Sequence, residues 1–423
     1  MARHFTSHEQ ASRPTPRPTP TTQGRRPEGD QAAYYQRRRS SRQRRRRTVG
    51  IVVAVVAIVA VAVVAFALPR ILGGTGSSAT STPANTTGSV SATDASSSSA
   101  SSSASSATPV TTAPDGRIVL SLGGDEDTYV KQGEDYIEGG CHARDVQEGN
   151  LTSSVKVSGS VDTSTVGDYV LTYSVENSEG MVATTQRTVH VVAAGSMDWD
   201  TNGIPVLMYH YVYDPANPPS DLNVNYVSTT DFDAQCAWLS ENDYYYPSWQ
   251  ELRAYVEGTH SLPAKSVILT FDDGEHGFLD NGIPILEKYK VHATSFLICI
   301  DGDIEDKLNQ SSPYVLFESH SYDLHRAGST KLGHGGRIYD LSEQELVADI
   351  QKSADIIGSV EAFAYPYGDV SDVSSAAMND LGISCAVTTN YGNACVGDDP
   401  TQLSRCRVSG GNSLASYISM VEN

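Results

Sequence analysis

Two clusters of side chains in the C-terminal half of the chain can do chemistry together. The first is Asp272-Asp273, which ends the apolar run Ser266-Val267-Ile268-Leu269-Thr270-Phe271 and is followed by Gly274. Adjacent side chains on a regular strand point to opposite faces. Both carboxylates can serve one site only where the strand ends and the backbone turns, and Gly274 permits that turn. Two close carboxylates repel, so one of them needs a cation or a proton. Taken alone, the segment reads equally well as an acidic turn after a strand. The second cluster is Ser319-His320-Ser321-Tyr322-Asp323-Leu324-His325, which follows the apolar run Tyr314 to Phe317. Histidines five apart share neither a helix face nor a strand face. They converge only if the chain turns between them; otherwise they are two surface histidines in a polar loop. Imidazole is the usual ligand of zinc-like ions, and a carboxylate is a common third.

Positioning these groups requires strand ends. From Gly203 onward, short apolar runs have strand length: Pro205–Tyr209, Ser266–Phe271, Ala293–Cys299, Val315–Glu318, Ala362–Tyr365 and Ala386–Thr389. Helical patterns lie between them. Thr229 or Thr230 can cap a helix with Phe232, Cys236 and Leu239 on one face. Ser342-Glu343-Gln344-Glu345 is a capping box. It opens a helix with Leu346, Ile350, Ala354 and Ile357 inward, and Gly358 stops it. Strands alternating with helices predict a parallel sheet, open or closed into a barrel. In such folds the C-terminal strand ends carry the chemistry.

Together, Thr270-Phe271-Asp272-Asp273-Gly274 and the histidine pair resemble the polysaccharide deacetylase family, carbohydrate esterase family 4 or the NodB homology domain. The resemblance implies an α/β catalytic domain built as a distorted (β/α) barrel over residues 203–423. It implies that Asp272 is the catalytic base and that Asp273, His320 and His325 hold a divalent metal ion. That donor set suits zinc, cobalt or nickel more than calcium. The histidine spacing is one residue longer than the commoner family form and resembles the subgroup of poly-N-acetylglucosamine deacetylases from biofilm systems. Phe363-Ala364-Tyr365-Pro366-Tyr367-Gly368 resembles the third family motif, with the Tyr367 backbone N–H as oxyanion donor. Here the sequence departs: Ala364 stands where the family usually has an Arg that orients the base. Arg405 is the candidate substitute. The family's C-terminal Leu-x-His is also missing, since no His follows His334. The biofilm subgroup is circularly permuted and carries its acid in an opening Tyr-His strand, which makes His210 the candidate catalytic acid. Otherwise His210 is a strand-end histidine satisfied by hydrogen bonds.

The implied activity is hydrolysis of N-acetyl groups on the N-acetylhexosamine residues of a cell-envelope polysaccharide, releasing acetate. Peptidoglycan and poly-N-acetylglucosamine are both compatible. Ala364 keeps open a second reading, a wall- or glycan-binding surface protein with weakened catalysis. A glycoside hydrolase fits poorly, because its carboxyl pair flanks a bond at about 5–9 Å. Tyr244, Tyr245, Tyr246 and Trp249 could stack on sugars, but core or rim packing is the plainer reading. His334 reads as a surface residue.

The rest of the chain concerns location. The chain has 423 residues and a net charge of −20, yet residues 1–47 carry 13 Arg against 3 acidic residues. Val49 to Leu68 is apolar with one Gly and no charge, and some 20 such residues span a bilayer core of roughly 30 Å. Positive flanks stay in the cytoplasm. The expectation is therefore a disordered basic cytoplasmic segment (1–48) and a single N-terminal transmembrane helix (49–68). A Ser/Thr-rich linker (69–115) would follow, with the catalytic domain outside the cell. The shorter apolar core of a cleaved signal peptide fits less well. Beside a membrane span, the Arg run reads as topology control rather than nucleic-acid binding, and the acidic body suggests no nucleic-acid partner. Residues 116–193 alternate with period two, as in Tyr169 to Val175. Their short strands predict an all-β sandwich. The runs Glu148-Gly149-Asn150-Leu151-Thr152, Gly159-Ser160-Val161-Asp162 and Val166-Gly167-Asp168-Tyr169 resemble bacterial immunoglobulin-like repeats, which implies a stalk or a glycan-binding module. Cys395 could bridge to Cys406 or Cys385, whereas Cys299 reads as a buried thiol.

Overall fold

The computed structural model describes residues 116–422. The expected basic segment 1–48, membrane span 49–68 and linker 69–115 lie outside the described residues. Among the described residues, no helix is long and apolar enough to cross a membrane.

The first domain is built from β1 (Ile118–Leu122), β2 (Asp127–Lys131), β3 (Cys141–Asp145), β4 (Gly149–Asn150), β5 (Lys156–Ser158), β6 (Gly167–Glu176) and β7 (Val182–Val192). They form two sheets, in the orders β1-β3-β4 and β2-β7-β6-β5. The alternation seen in sequence decides which side chains enter. Leu171, Tyr173 and Val175 of β6 are buried and pack with Ile118, Leu120, Val130 and Val189. A turn at Asn177–Gly180 joins β6 to β7, closed by the Gly180 N–H on the Asn177 carbonyl.

In the second domain β8 (Val206–Tyr209) comes first, then a two-stranded parallel ribbon of β9 (Tyr211–Tyr213) and β10 (Tyr226–Ser228). The other main strands are β11 (Ile268–Phe271), β12 (Ala293–Leu297), β13 (Val315–Ser319), β14 (Ala362–Ala364), β15 (Cys385–Val387) and β16 (Cys406–Arg407). The seven-stranded sheet has the order β15-β14-β13-β12-β11-β8-β16, and every pairing in it is parallel. Its strands are apolar throughout because both faces are covered. On one face Val206, Ile268, Phe296 and Ala362 meet the helix Trp249–Val256. On the other, Leu207, Leu269 and Phe317 meet the helices Thr229–Glu241 and Ile283–Tyr289. The tyrosines 244–246 and Trp249 are buried, as packing residues.

The expected distorted (β/α) barrel, left open or closed by the sequence, is a curled half-barrel. β16 has only two residues, and β15 is joined to the segment before it by one isolated bridge, Val387 to Leu403. That segment spans the gap: Leu403 touches β15, and Cys406 pairs with Leu207 of β8. Helix Glu343–Ile357 carries the predicted capping box and ends at Gly358 with φ 101°. Helix Thr229–Glu241 is capped by Ser228 rather than by either threonine, since the Ser228 hydroxyl accepts from the Asp231 N–H. All six cysteines are free thiols, Cys299 among those buried. The expected bridge from Cys395 does not form: Cys385 turns to the Trp249 carbonyl and Cys406 to Asn393.

The two domains pack closely. Ser121 Oγ donates to the Ser312 carbonyl at 2.7 Å, Glu134 accepts from Ser261, and Glu126 faces His292 at 3.1 Å. A side chain at Gly124 would put its Cβ 2.7 Å from the Ser248 backbone nitrogen, so this approach requires glycine.

Candidate active site

β11 delivers the carboxylate pair to the C-terminal end of the sheet. The turn begins at Asp273 itself, with φ 73°, and continues through Gly274 at φ 59°. A Cβ at Gly274 would fall 2.5 Å from Leu297 Cδ2. The turn separates the two carboxylates into different surroundings.

Asp272 is buried and clamped. Arg405 Nη1 donates to its Oδ1 and Nη2 to its Oδ2, both at 2.7 Å. The guanidinium is fixed in turn: Nε donates to the Thr388 carbonyl at 2.8 Å, and Nη1 also reaches Thr270 Oγ1 at 3.0 Å. Burial by itself would raise the Asp272 carboxyl, but the Arg405 charge outweighs it and holds the group below the ordinary carboxylate range. Arg405 occupies the strand-bridging segment, and this is why a residue far along the chain reaches the base. Ala364, at the end of β14, is fully buried.

Asp273 faces the histidines. Its Oδ1 lies 3.5 Å from His320 Nε2 and 3.3 Å from His325 Nε2. His320 Nδ1 must carry the proton, because it donates to the Ala364 carbonyl at 2.7 Å; Nε2 then remains available as a ligand atom. The chain between the histidines does turn, at Ser321 with φ 78°. Asp349, on the helix Glu343–Ile357, pins that turn by accepting from the Tyr322 and Asp323 N–H groups at 2.9 and 3.0 Å. Burial raises the Asp273 carboxyl, yet the two imidazoles outweigh it and hold it well below the usual range. His325 is lowered, by burial and then by the neighbouring His320.

The donor set fits a zinc-class divalent ion. One ligand atom each from Asp273, His320 and His325 lies within 4.8 Å of the others. Among the described residues five non-glycine residues have positive φ, and Asp273, Ser321 and Tyr367 among them all border this cluster. Backbone strain concentrates where function requires a fixed geometry. The Tyr367 ring (φ 62° at its backbone) lies against His325, with centroids 4.5 Å apart and the planes tilted by 36°. His210 follows β8. Tyr209 pairs with Phe271, and the Asp272 N–H donates to the Tyr209 carbonyl at 3.0 Å, which sets His210 beside the pair. Its imidazole is lowered by burial, against the opposing pull of Asp272 and Asp273.

Asp272, Asp273, His320, His325, Tyr367 and His210 thus gather at one end of the sheet, whereas Tyr244, Tyr245, Tyr246 and Trp249 do not. Two others had no sequence signal. Asp349 is one. Tyr211 is the other: its hydroxyl donates to Asp273 Oδ2 at 2.8 Å. Outer partners of this kind orient a ligand. Tyr211→Phe is expected to weaken metal affinity by about 10-fold while leaving kcat at saturating metal nearly unchanged. Metal titration of activity in the two proteins checks this. His334 is an exposed side chain bonded to Asp369 Oδ1 at 3.0 Å.

A parallel half-barrel with a His-His-Asp cluster beside a clamped carboxylate at its strand ends is the architecture of a carbohydrate deacetylase. Comparison with known proteins agrees. Residues 259–386 match the polysaccharide deacetylase family, and residues 120–191 match the Ig-like domain of bacterial surface proteins. The matched deacetylase stretch leaves both His210 and Arg405 outside it. The chain is 32% identical over 218 residues to the poly-beta-1,6-N-acetyl-D-glucosamine N-deacetylase of Staphylococcus epidermidis, spanning 45% of this chain and 74% of that one. It is 28% identical over 174 residues to the protein of that name from Staphylococcus aureus, spanning 37% and 59%. Similar solved structures include the Streptococcus pyogenes deacetylase PplD in complex with acetate (23% identity, TM-score 0.46, covering 53% of this chain and all of that one). IcaB from Ammonifex degensii is another (23%, TM-score 0.43, covering 53% and 99%). The chain belongs to the polysaccharide deacetylase family and is a deacetylase enzyme, preceded by an Ig-like domain.

Proposed function

We propose that the enzyme removes N-acetyl groups from a β-1,6-linked poly-N-acetylglucosamine at the cell surface, using a zinc-class ion held by Asp273, His320 and His325. The observation that carries the reaction is the separation of the two carboxylates: one faces two imidazoles, the other is held ionised by Arg405. The polymer is inferred from the staphylococcal relatives, whose names specify it.

When bound, the ion would lower the pKa of a water and polarise the acetyl carbonyl. The remaining work falls to the chain. Asp272 takes the water's proton, and Arg405 fixes the orientation and charge of that base. The Tyr367 N–H stabilises the developing oxyanion. His210 donates a proton to the departing amine nitrogen; burial lowers its imidazole, and Asp272 and Asp273 oppose that pull. One water is consumed, and acetate and a free amine result. Among the residues of this site, none is a Ser or Cys nucleophile with an adjacent base, so direct attack by water is favoured over an acyl-enzyme.

For location, we propose the single-pass arrangement: residues 1–48 cytoplasmic, residues 49–68 in the membrane and the enzyme outside. The Arg block before the apolar run supports it.

The test is acetate release by the full chain from defined poly-N-acetylglucosamine oligomers and from peptidoglycan fragments, with and without a chelator. Release from the first substrate that stops on chelation and returns with zinc is the expected result. Release from peptidoglycan alone overturns the polymer; release indifferent to chelator overturns the metal.

A further inference from the structure

The Ig-like domain sets one histidine against two carboxylates of the catalytic domain. His142 projects from β3, Glu318 from β13 and Glu361 from the residue before β14. His142 Nε2 lies 3.2 Å from Glu361 Oε1 and 3.9 Å from Glu318 Oε1. One ligand atom from each of the three falls within 4.8 Å of the others.

Glu318 is the informative member. It is fully buried. Its Oε2 accepts from the N–H groups of Glu361 and Ala362, at 2.9 and 3.3 Å. Its Oε1 has no hydrogen-bond partner and is aimed at the cluster. A buried carboxylate oxygen without a donor is costly. One imidazole does not serve two carboxylates here, because it is within hydrogen-bond distance of Glu361 only. Arg187 is the other nearby cation and acts on Glu361 through its charge. Its Nη donors, however, go to Glu138, the Tyr136 hydroxyl and the Gly123 carbonyl. A cation in the centre would meet all three ligand atoms at once.

The cluster is also preorganised. Ser121, the strand partner of His142, is bonded to Ser312 across the interface. Arg144, two residues along β3, pairs with Glu305 at 2.7 Å. Gly140, at φ 77°, lies against the cluster, where a Cβ would fall 3.1 Å from Glu361 Oε1. A small cavity lined by Ser121, His142, Asn150, Ser311 and Phe317 adjoins the histidine.

We propose that His142, Glu318 and Glu361 bind a second divalent cation of the zinc class, separate from the one at Asp273, that fastens the Ig-like domain to the catalytic domain. One imidazole with two carboxylates suits such an ion; calcium takes six to eight oxygens. Because the ligands come from both domains, binding the ion and docking the domains are one equilibrium.

The test is zinc content, by elemental analysis, of the full chain stripped of metal, reloaded with Zn²⁺ and freed of excess. Four proteins are compared: the unaltered chain, His320→Ala, the double variant Glu318→Gln with Glu361→Gln, and all three changes together. The expected contents are about two, one, one and zero equivalents. A single equivalent that His320→Ala removes overturns this proposal and leaves the catalytic ion standing. A single equivalent that only the double variant removes upholds this proposal and overturns the catalytic ion. A thermal readout guards against misfolding. Zinc should raise the Tm of stripped His320→Ala protein by about 4 °C or more. It should leave the His320→Ala, His142→Gln protein unmoved. Equal shifts in both overturn the interface site.

Discussion

Asp273→Asn and His320→Ala are expected to lose bound metal and acetate release together, with kcat/KM falling by about 10³-fold or more. The magnitude follows from what the ion supplies: Lewis-acid stabilisation is worth several kcal/mol, and each 1.36 kcal/mol is about tenfold in rate. Asp273→Asn is the sharper of the two. It keeps the shape of the side chain and the Tyr211 hydroxyl contact but removes the charge that faces both imidazoles. His320→Ala also abandons the Ala364 carbonyl, which accepts from Nδ1, so some of its effect is lost stability, about 1–3 kcal/mol for an orphaned buried acceptor. Circular dichroism and melting curves measured beside metal content separate the two contributions. Full metal content with undiminished acetate release in Asp273→Asn would sink the ligand assignment.

Much of this site was legible because its parts are local in sequence. Asp272-Asp273-Gly274 follows a six-residue apolar run, and the structure needs only the turn that the glycine announced. The turn actually begins at Asp273, and a positive φ at a non-glycine residue has no sequence signature. The histidine pair was legible as residue types but not as geometry. Its convergence depends on Asp349 of a later helix, which accepts from two loop N–H groups. Tyr211 was invisible for the same reason: only the fold brings its hydroxyl to Asp273. Strand assignment succeeded where burial on both faces produced unbroken apolar runs. It failed at β16, whose two residues carry no pattern, and for the same reason the sequence left open whether the sheet closes.

The interface between the domains was the least legible feature. His142, Glu126 and Glu134 sit in a segment whose alternation predicts strands but says nothing about what the outward side chains meet. His292, to which the sequence assigned no role, faces Glu126 across that interface. A stalk alone would leave these groups to solvent. In the folded chain they are spent on docking, and the histidine-carboxylate cluster around Glu318 lies in that same contact.

Arg405→Ala should lower kcat/KM by about 10²-fold and move the acid limb of its pH profile upward. Asp272 in the folded protein is held below its ordinary pKa, with burial opposing and Arg405 prevailing. Without the guanidinium, burial is left to act, and the base ionises only at higher pH. The stability effect has a defined sign. A depressed carboxyl contributes stability above its unfolded pKa and loses it as pH falls through the folded value. Removing Arg405 therefore costs most near neutral pH, about 3–5 kcal/mol for a buried charge left unpaired, and less in acid, where Asp272 takes up a proton. Arg405→Lys keeps the charge but not the two-pronged contact, so it should recover part of the stability and little of the rate. The measurements are kcat/KM against pH and Tm against pH for the three proteins. An unmoved acid limb with a rate within threefold of the original would reduce Arg405 to packing. The expected shift would show that a residue on the strand-bridging segment does for Asp272 what the family asks of the position held here by Ala364.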